Sequence, residues 1–446
     1  MKKNSIYSNL LYSIYIIIPF LLITGPALPD IFLTLFSIIF IFFYFRKLNN
    51  TKIELWMILI ILLWIWFIII SFFAVDIYLS LTDAVIFLRF ILFIIFSYLF
   101  LKHINIKFLR YILYSILCLC LFVSLDTFYQ FYNFSNENGF GEDIFGRKPE
   151  GLYGRLSGPF SDLVTGSYLS RFIFFIIFLF LLEKKFILEN KYFYFFVIFS
   201  LSLIVSAIYF SGERMALATT FLGFLLCFVF SKNLKKIILF SSMLSIIFII
   251  ININYHPYYN NYKIIKSTAK HEGLIIERNY VCENNNKCSK KFKVQPKFFT
   301  IIKNFNNSAY ADIYLTSYNM WKDNILFGIG LNNFNFLCNK NAKYINNKSF
   351  GCTTHPHNIY LQALVESGFI GFLIFCFFAF SLFKKIFKSS NPDQRIVLIA
   401  TLLTVFWPLM STGSFLKNWN MTTICIICSI CLVLSQINKS QSIEFK

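Results

Sequence analysis

Residues 352–371 read CTTHPHNIYLQALVESGFIG. His355 and His357 stand two apart, and Asn358, Gln362 and Glu366 follow at a spacing of four. A histidine has an ordinary pKa of about 6.5, and its neutral ring takes a proton from a hydroxyl, so it suits a general base. Pro356 suits the first turn of a helix, with Thr353, Thr354 or His355 in the cap region. As a helix, the segment carries Asn358, Gln362 and Glu366 as one polar stripe, with Leu361, Leu364 and Val365 on the apolar side. Its first turn then offers unpaired N–H groups and the positive end of the dipole to an anion. The plainer reading makes both histidines polar caps packed on aromatic rings, and the residues alone leave both readings open.

Arginines are the second ingredient. Arg214 lies in SGERMAL, a tight turn between two apolar runs, and Arg89 and Arg171 fall inside apolar runs. Charges inside membrane spans are expensive and often functional. The alternatives are snorkelling for Arg89 and Arg171, and a turn charge paired with Glu213 for Arg214. A guanidinium holds phosphate bidentately while a neutral histidine accepts a proton from a hydroxyl. Together these residues suggest chemistry on a phosphate-bearing lipid.

The elements that must position them are helices in a bilayer. Of 446 residues, 57% are hydrophobic, 20% aromatic and only 14% charged, a balance that excludes a soluble domain. Runs of roughly 17–25 apolar residues can each cross a membrane. We read twelve, at about 6–25, 27–45, 55–74, 84–101, 108–131, 164–182, 192–210, 215–230, 237–253, 359–383, 396–410 and 421–437. Met1-Lys2-Lys3 before the first run resembles a signal peptide, but no small-residue cleavage site follows, which predicts an uncleaved first helix.

The net charge of +20 is topological. Arg46, Lys47, Lys52, Lys102, Lys107, Arg110, Lys184, Lys185, Lys191, Lys232, Lys235, Lys236, Lys384, Lys385, Lys388 and Arg395 fall on one side of the predicted spans. Asp30, Asp76 and Asp83 fall on the other, where Lys417 is the basic residue of the short turns. The positive-inside rule therefore predicts cytoplasmic termini, and nucleic acid is not indicated. Arg89, about six residues inside its predicted span, is expected near the outer headgroups, with Arg171 about eight residues inside its own.

Three regions follow: 1–253 with nine spans and an outer loop at 132–163, a large outer loop at 254–358, and 359–446 with three more spans. The large loop holds 14 Lys and Arg against 5 Asp and Glu, which long loops tolerate on the outer side. Seven of the eleven cysteines lie in spans, and the other four, Cys282, Cys288, Cys338 and Cys352, lie in this loop. An even set in an oxidising compartment suggests disulfides. Of the three pairings, Cys282–Cys288 with Cys338–Cys352 closes the shorter loops; a metal site is the rival reading, though neither pair has C-x-x-C spacing.

With these residues in place, the chain resembles the O-antigen ligase/polymerase superfamily of bacterial membrane glycosyltransferases. Three stretches carry the resemblance: GRLSGPFSDLVTGSYL (154–169), SGERMALATTF (211–221), and MWKDNILFGIGLNNF (320–334) followed by CTTHPHNIYLQALVESGFIG. The resemblance implies an all-α polytopic, GT-C-like fold. It also implies transfer of a glycan from undecaprenyl diphosphate to a sugar hydroxyl, on lipid A-core in the ligase case, at the periplasmic face of the inner membrane. The family's essential turn arginine maps to Arg214, and its proposed histidine maps best to His357, with His355 second. Arg214, helped by Arg89 and the helix N-terminus at Pro356, is expected to hold the diphosphate, Arg171 is expected to bind substrate, and Asn358 or Glu366 is expected to orient the ring. The loop between spans nine and ten resembles the ligase branch, and 132–163 keeps the polymerase open, as the shared histidine motif does the protein O-oligosaccharyltransferase. One departure is plain. Where the family carries a second loop arginine, this sequence reads SAYADIYLTSYNMW, with Tyr310 or Ala311 at that register. Arg278, further upstream, or Lys322 is the expected substitute.

Neither G-x-x-x-x-G-K-[ST] nor G-x-G-x-x-G occurs, so no nucleotide cofactor is expected. The Asp76/Asp83 pair reads as a solvated turn, which predicts a metal-independent reaction, and direct displacement would invert the anomeric centre. A lipid-linked glycan transporter is the competing class, expected to show broken helices and polar midplane residues in matching halves. A non-enzymatic polysaccharide-binding protein is the third.

Overall fold

The structure is a computed structural model. It describes residues 5–44, 52–135, 139–149, 155–260, 263–265, 275–277, 293–294, 303–341, 343–344, 351–389, 391–409, 411 and 413–437. In chain order the helices are α1 (Ser5–Leu21), α2 (Ala27–Tyr44), α3 (Leu55–Ser71), α4 (Ile77–Lys102), α5 (Ile106–Tyr132), α6 (Thr165–Leu182), α7 (Lys184–Glu189), α8 (Lys191–Phe210), α9 (Arg214–Phe230), α10 (Lys235–Tyr255), α11 (Pro257–Asn260), α12 (Ala309–Asp323), α13 (Asn333–Lys340), α14 (Ile359–Phe387), α15 (Pro392–Phe406) and α16 (Asn418–Leu434). Strands β1 (Phe134–Ser135) and β2 (Gly139–Phe140) pair antiparallel, as do β3 (Lys263–Ile265), β4 (Ile275–Glu277) and β5 (Lys293–Val294), with Ile276 opposite both Ile264 and Val294.

Each apolar run read from the sequence coincides with a helix over most of its described length, α3 ending at Ser71 and α15 at Phe406. Among the described residues seven helices are long and apolar enough to cross a membrane; Ala27–Phe43, Leu55–Ser71, Arg214–Phe230 and Asn418–Leu434 are shorter apolar helices. The chain is thus a mostly helical membrane protein. It divides into two compact units, one of residues 1–105, 308–389 and 406–437, the other of 106–307, 390–405 and 438–446.

In the first unit α14 packs along α3, and α16 packs along α4 and α2. Glu54, at the N-terminus of α3, pairs with Lys385 of α14 and accepts from the Tyr98 hydroxyl of α4, while Gln436 donates to that hydroxyl at 2.7 Å. Burial opposes ionisation of Glu54, but the Lys385 and Tyr98 hydrogen bonds hold its carboxyl below the usual range. The second half of the predicted outer loop, from Ser308 on, belongs to this unit. There Ile313, Met320, Ile329, Phe334, Cys338 and Tyr344 form a small core with Val365 of α14. A disulfide joins Cys338 to Cys352 with their Cα atoms 5.6 Å apart.

In the second unit α5, α8 and α9 all pack on α6. Of the apolar window of α6, 89% is buried, against 28% for α10, so α6 is this unit's central helix. Its sequence explains why: from Phe172 to Leu182 phenylalanine, isoleucine and leucine run all round it, leaving no polar face there to turn outward.

Candidate active site

Two helix starts differ from the sequence reading, and both matter to the site. First, α14 begins at Ile359, three residues past Pro356. His357 has φ 53°, in the left-handed region, so the chain cannot be helical there. Asn358 becomes the N-cap instead, accepting from the N–H groups of Tyr360 at 2.9 Å and Leu361 at 3.1 Å. That corrects the expected anion site, because two first-turn donors already bond to Asn358. Second, α4 begins at Ile77, with the Asp76 carboxylate accepting from Leu79 N–H at 2.9 Å, and carries Asp83 inside it. Arg89 therefore lies twelve residues past the helix start, roughly 18 Å along the axis at about 1.5 Å per residue, not six.

The rings that meet His357 are those of His355 and Tyr310, and the charge that acts on it is that of Lys417. The His357 ring lies 4.1 Å from that of His355 and meets Tyr310 of α12 edge-on at 6.5 Å. His355 is buried; its Nδ1 lies 2.9 Å from the Thr354 hydroxyl, and its carbonyl accepts from Thr353 at 2.8 Å. His357 is half-buried. Burial first, and the Lys417 charge second, push its pKa below the ordinary value. A lowered histidine is neutral at neutral pH, the form a general base requires.

The predicted stripe is real but turned inward. Asn358, Gln362 and Glu366 are all buried. Asn358 Nδ2 donates to the Pro408 carbonyl at 2.7 Å. Gln362 Nε2 donates to Ser414 Oγ at 2.7 Å and to Glu366 at 3.1 Å, and Gln362 Oε1 accepts from Phe415 N–H at 3.2 Å. The Asn332 backbone N–H also donates to Glu366. The stripe thus anchors the connection between α15 and α16 against α14.

Gly368 breaks α14, with φ 67° and ψ −176°. The freed groups pair with residues 325–330: Ile329 N–H donates to Val365 O and Gly330 N–H to Glu366 O, each at 3.0 Å, and Phe369 N–H donates to Ile325 O at 2.8 Å. Trp66 of α3 donates to Ser367 O at 2.8 Å. A Cβ on Gly368 would lie 2.1 Å from Leu326 O, and one on Gly328 would lie 2.5 Å from Gly368 N, so these contacts need glycine. The same loop reaches the start of α4, where Leu331 N–H donates to Ser80 at 2.9 Å and Asn333 Oδ1 accepts from Asp76 N–H at 2.8 Å. An unwound turn in an apolar setting must have its backbone bonded by protein. This break is a docking site for FGIG.

Arg89 is engaged within its unit. Its Nε pairs with Asp30 of α2 at 2.8 Å and its Nη2 donates to Asn418 of α16 at 2.7 Å, so it joins three helices.

In the second unit the SGERMAL turn meets the start of α6. Glu213 accepts from the N–H groups of Gly166 at 2.7 Å and Ser167 at 3.0 Å, capping α6 from a distance of about fifty residues in sequence. The Arg155 and Arg171 charges act on this carboxylate. Burial raises the Glu213 pKa, and the Ser167 hydroxyl and Arg155 oppose that rise. Arg171 is itself buried, on the central helix. Arg214 is the first residue of α9, half-buried, immediately after the capping glutamate. A Cβ on Gly166 would lie 2.6 Å from Ser211 Oγ, so TGS and SGER approach each other through a glycine.

Of the predicted residues, His355, His357, Asn358, Glu366 and Arg89 fall in the first unit, and Arg171 and Arg214 in the second. Arg278, Cys282 and Cys288 lie outside the described residues. Sequence reading missed Glu213 as a cap, Arg155 beside it, and the docking of FGIG onto α14. The available signals were glycines: the pair in FGIG and the one in ESG.

The fold and this site define a polytopic helical membrane protein with a half-buried histidine set at the start of a broken helix. Residues 199–376 match the family model described as O-antigen ligase (Wzy_C), a stretch running from α8 into α14 through both the Glu213–Arg214 turn and His357. That match puts this stretch in the O-antigen ligase/polymerase superfamily. No curated protein matches the chain.

Proposed function

We propose that the protein is an O-antigen ligase. It transfers a glycan en bloc from undecaprenyl diphosphate to a sugar hydroxyl of lipid A-core, at the periplasmic face of the bacterial inner membrane. Both termini are cytoplasmic and the 254–358 loop is periplasmic in this reading, as the basic side chains of the short loops support. His357 takes the hydroxyl proton as the acceptor oxygen attacks the anomeric carbon. The bond from that carbon to the diphosphate breaks with inversion, and undecaprenyl diphosphate leaves. The step needs no metal ion, because side-chain cations can meet the charge on the departing diphosphate.

The observation that carries this reading is His357 itself. It is half-buried, kept neutral by its surroundings, and held in a left-handed backbone conformation inside the family-matched stretch. A side chain whose backbone is held in a sparsely populated region by a cap, a proline and neighbouring rings fits a functional constraint better than a passive one.

The test is complementation of a strain lacking its own O-antigen ligase, with the protein and in parallel with His357→Ala, followed by lipopolysaccharide gels. A restored ladder that the variant loses supports ligation with His357 as base. A ladder that persists in the variant removes His357 from that role. The polymerase is the second reading, favoured by hydrogen bonds of the described outer-loop residues 139–149 and 155–164, where Gly158 N–H donates to buried Gln130 at 3.0 Å and Arg147 donates to Pro159 O at 2.7 Å. Lengthening of carrier-linked repeat units in membranes, without transfer to lipid A-core, decides for it.

A further inference from the structure

A diphosphate donor is anionic before the reaction and gains charge as its glycosyl bond breaks, so a donor bound within reach of His357 needs a cation at its diphosphate. The nearby groups already described do not supply one. Tyr310, Asn358 and Gln362 are neutral, the Tyr360 and Leu361 N–H groups bond to Asn358, and Arg89 is held by Asp30 and Asn418.

The connection between α15 and α16, residues 407–417, carries a single charged residue, Lys417. This connection is fastened to the histidine segment at four points. Asn358 donates to Pro408 O at 2.7 Å, Ser411 Oγ lies 3.2 Å from the Tyr310 hydroxyl, Gln362 donates to Ser414 Oγ at 2.7 Å, and Phe415 N–H donates to Gln362 at 3.2 Å. Tyr310 is the ring that meets His357 edge-on. Two residues past Phe415 comes Lys417, the N-cap of α16, its backbone N–H on Ser414 O at 3.2 Å and its side chain exposed. The buried stripe of α14 therefore delivers a solvent-facing ammonium to the neighbourhood of the histidine, and the charge is felt by the ring.

We propose that Lys417 binds the diphosphate of the polyprenyl-linked donor beside His357. The inference rests on the donor class proposed above. An ammonium on a flexible stem is a point-charge phosphate ligand, able to follow the anion from bound donor to leaving group.

The experiment uses the full chain in phosphatidylcholine nanodiscs, titrated separately with undecaprenyl diphosphate and with inorganic pyrophosphate. Lys417→Ala should weaken binding of undecaprenyl diphosphate by about tenfold or more, the loss of one charge-assisted contact. Lys417→Arg should retain binding. Alanine keeps the backbone N–H and removes an exposed side chain, so thermal unfolding of the variant should match wild type. A parallel loss for pyrophosphate assigns the contact to the diphosphate itself, and a loss for the lipid alone assigns it to a headgroup held at the membrane; both support the inference. Unchanged affinity of Lys417→Ala for undecaprenyl diphosphate overturns it. Wild type that binds neither probe overturns the donor class as well, which separates the two failures. A second readout follows from the groups facing the ring, His355, Tyr310 and Lys417. Removing the lysine's positive charge raises the His357 pKa, so the acid limb of the transfer rate should move to higher pH; a purely structural role for Lys417 leaves that limb in place.

Discussion

Around His357 the first unit gathers rings, amides and one exposed lysine, whereas the 211–214 turn of the second unit sets a glutamate among arginines. At the histidine, backbone and amide groups complete one another's hydrogen bonds and leave an imidazole half-exposed. At the turn, Glu213 already accepts two N–H groups of α6 and lies under the fields of Arg155 and Arg171. A base must stay neutral until it acts, and partial burial with a neighbouring positive charge favours that form. A carboxylate bonded to a helix N-terminus is a clamp that holds two family segments together. The difference teaches that an arginine's type and spacing do not assign it to a substrate, because an internal carboxylate can be its first partner.

The sharpest break of this contrast is at the histidine. His357→Ala should lower glycan transfer in isolated membranes by about 10²–10⁴-fold while leaving the protein folded, the usual worth of a general base. A change smaller than tenfold would make His357 a cap like Asn358. Next in size is the disulfide. Replacing Cys338 and Cys352 by serine reopens a loop of separation 14, worth roughly 3 kcal/mol in chain entropy. Faster protease cleavage within 303–358 is the expected sign, with cleavage elsewhere unchanged.

Gly368→Ala should destabilise the protein by about 1–3 kcal/mol, since the backbone there is in a region open to glycine alone and the new Cβ meets Leu326 O. Thermal unfolding in detergent measures it, and a larger loss than for alanine at solvent-facing Gly413 locates the effect at the docking of FGIG. Glu213→Gln keeps the shape of the cap and removes its charge. The loss should be about 1–2 kcal/mol by the same measurement, and an unchanged unfolding temperature would mean that the clamp is not electrostatic.

The smallest effect is on pH dependence. The folded-state pKa of His357 lies below its ordinary value, so the acid limb of the transfer rate should have its midpoint below about 6.5. The sign carries over to folding: as pH falls below about 6.5 the unfolded chain binds the proton first, so this group subtracts stability on the acid side. A limb centred above that value would show that the ring is not desolvated in the working enzyme.

Much of this was legible in the chain because it is local. The apolar runs gave helices within a few residues of their observed ends, and the spacing of Asn358, Gln362 and Glu366 put them on one face. The misread starts of α4 and α14 have local causes that compete. Proline at 356 argued for a first turn, but His357 in the left-handed region followed by an asparagine able to cap outweighed it. At α4 two acidic residues looked like a turn, yet Asp76 caps the helix and Asp83 is drawn inside it.

Composition and pattern by themselves determined that this is a helical membrane chain, which residues could act on a phosphate-bearing lipid, and that a histidine stands at the head of a long apolar helix. Such properties follow from hydrophobicity, charge and short-range periodicity, which need no knowledge of the fold. Only the tertiary structure decided that the polar stripe faces inward to anchor the 407–417 connection, that FGIG repairs a broken helix, and that Glu213 caps α6. Each of these contacts joins residues tens to hundreds of positions apart, and a hydrogen bond's partner across such a separation is set by packing, on which the local sequence is silent.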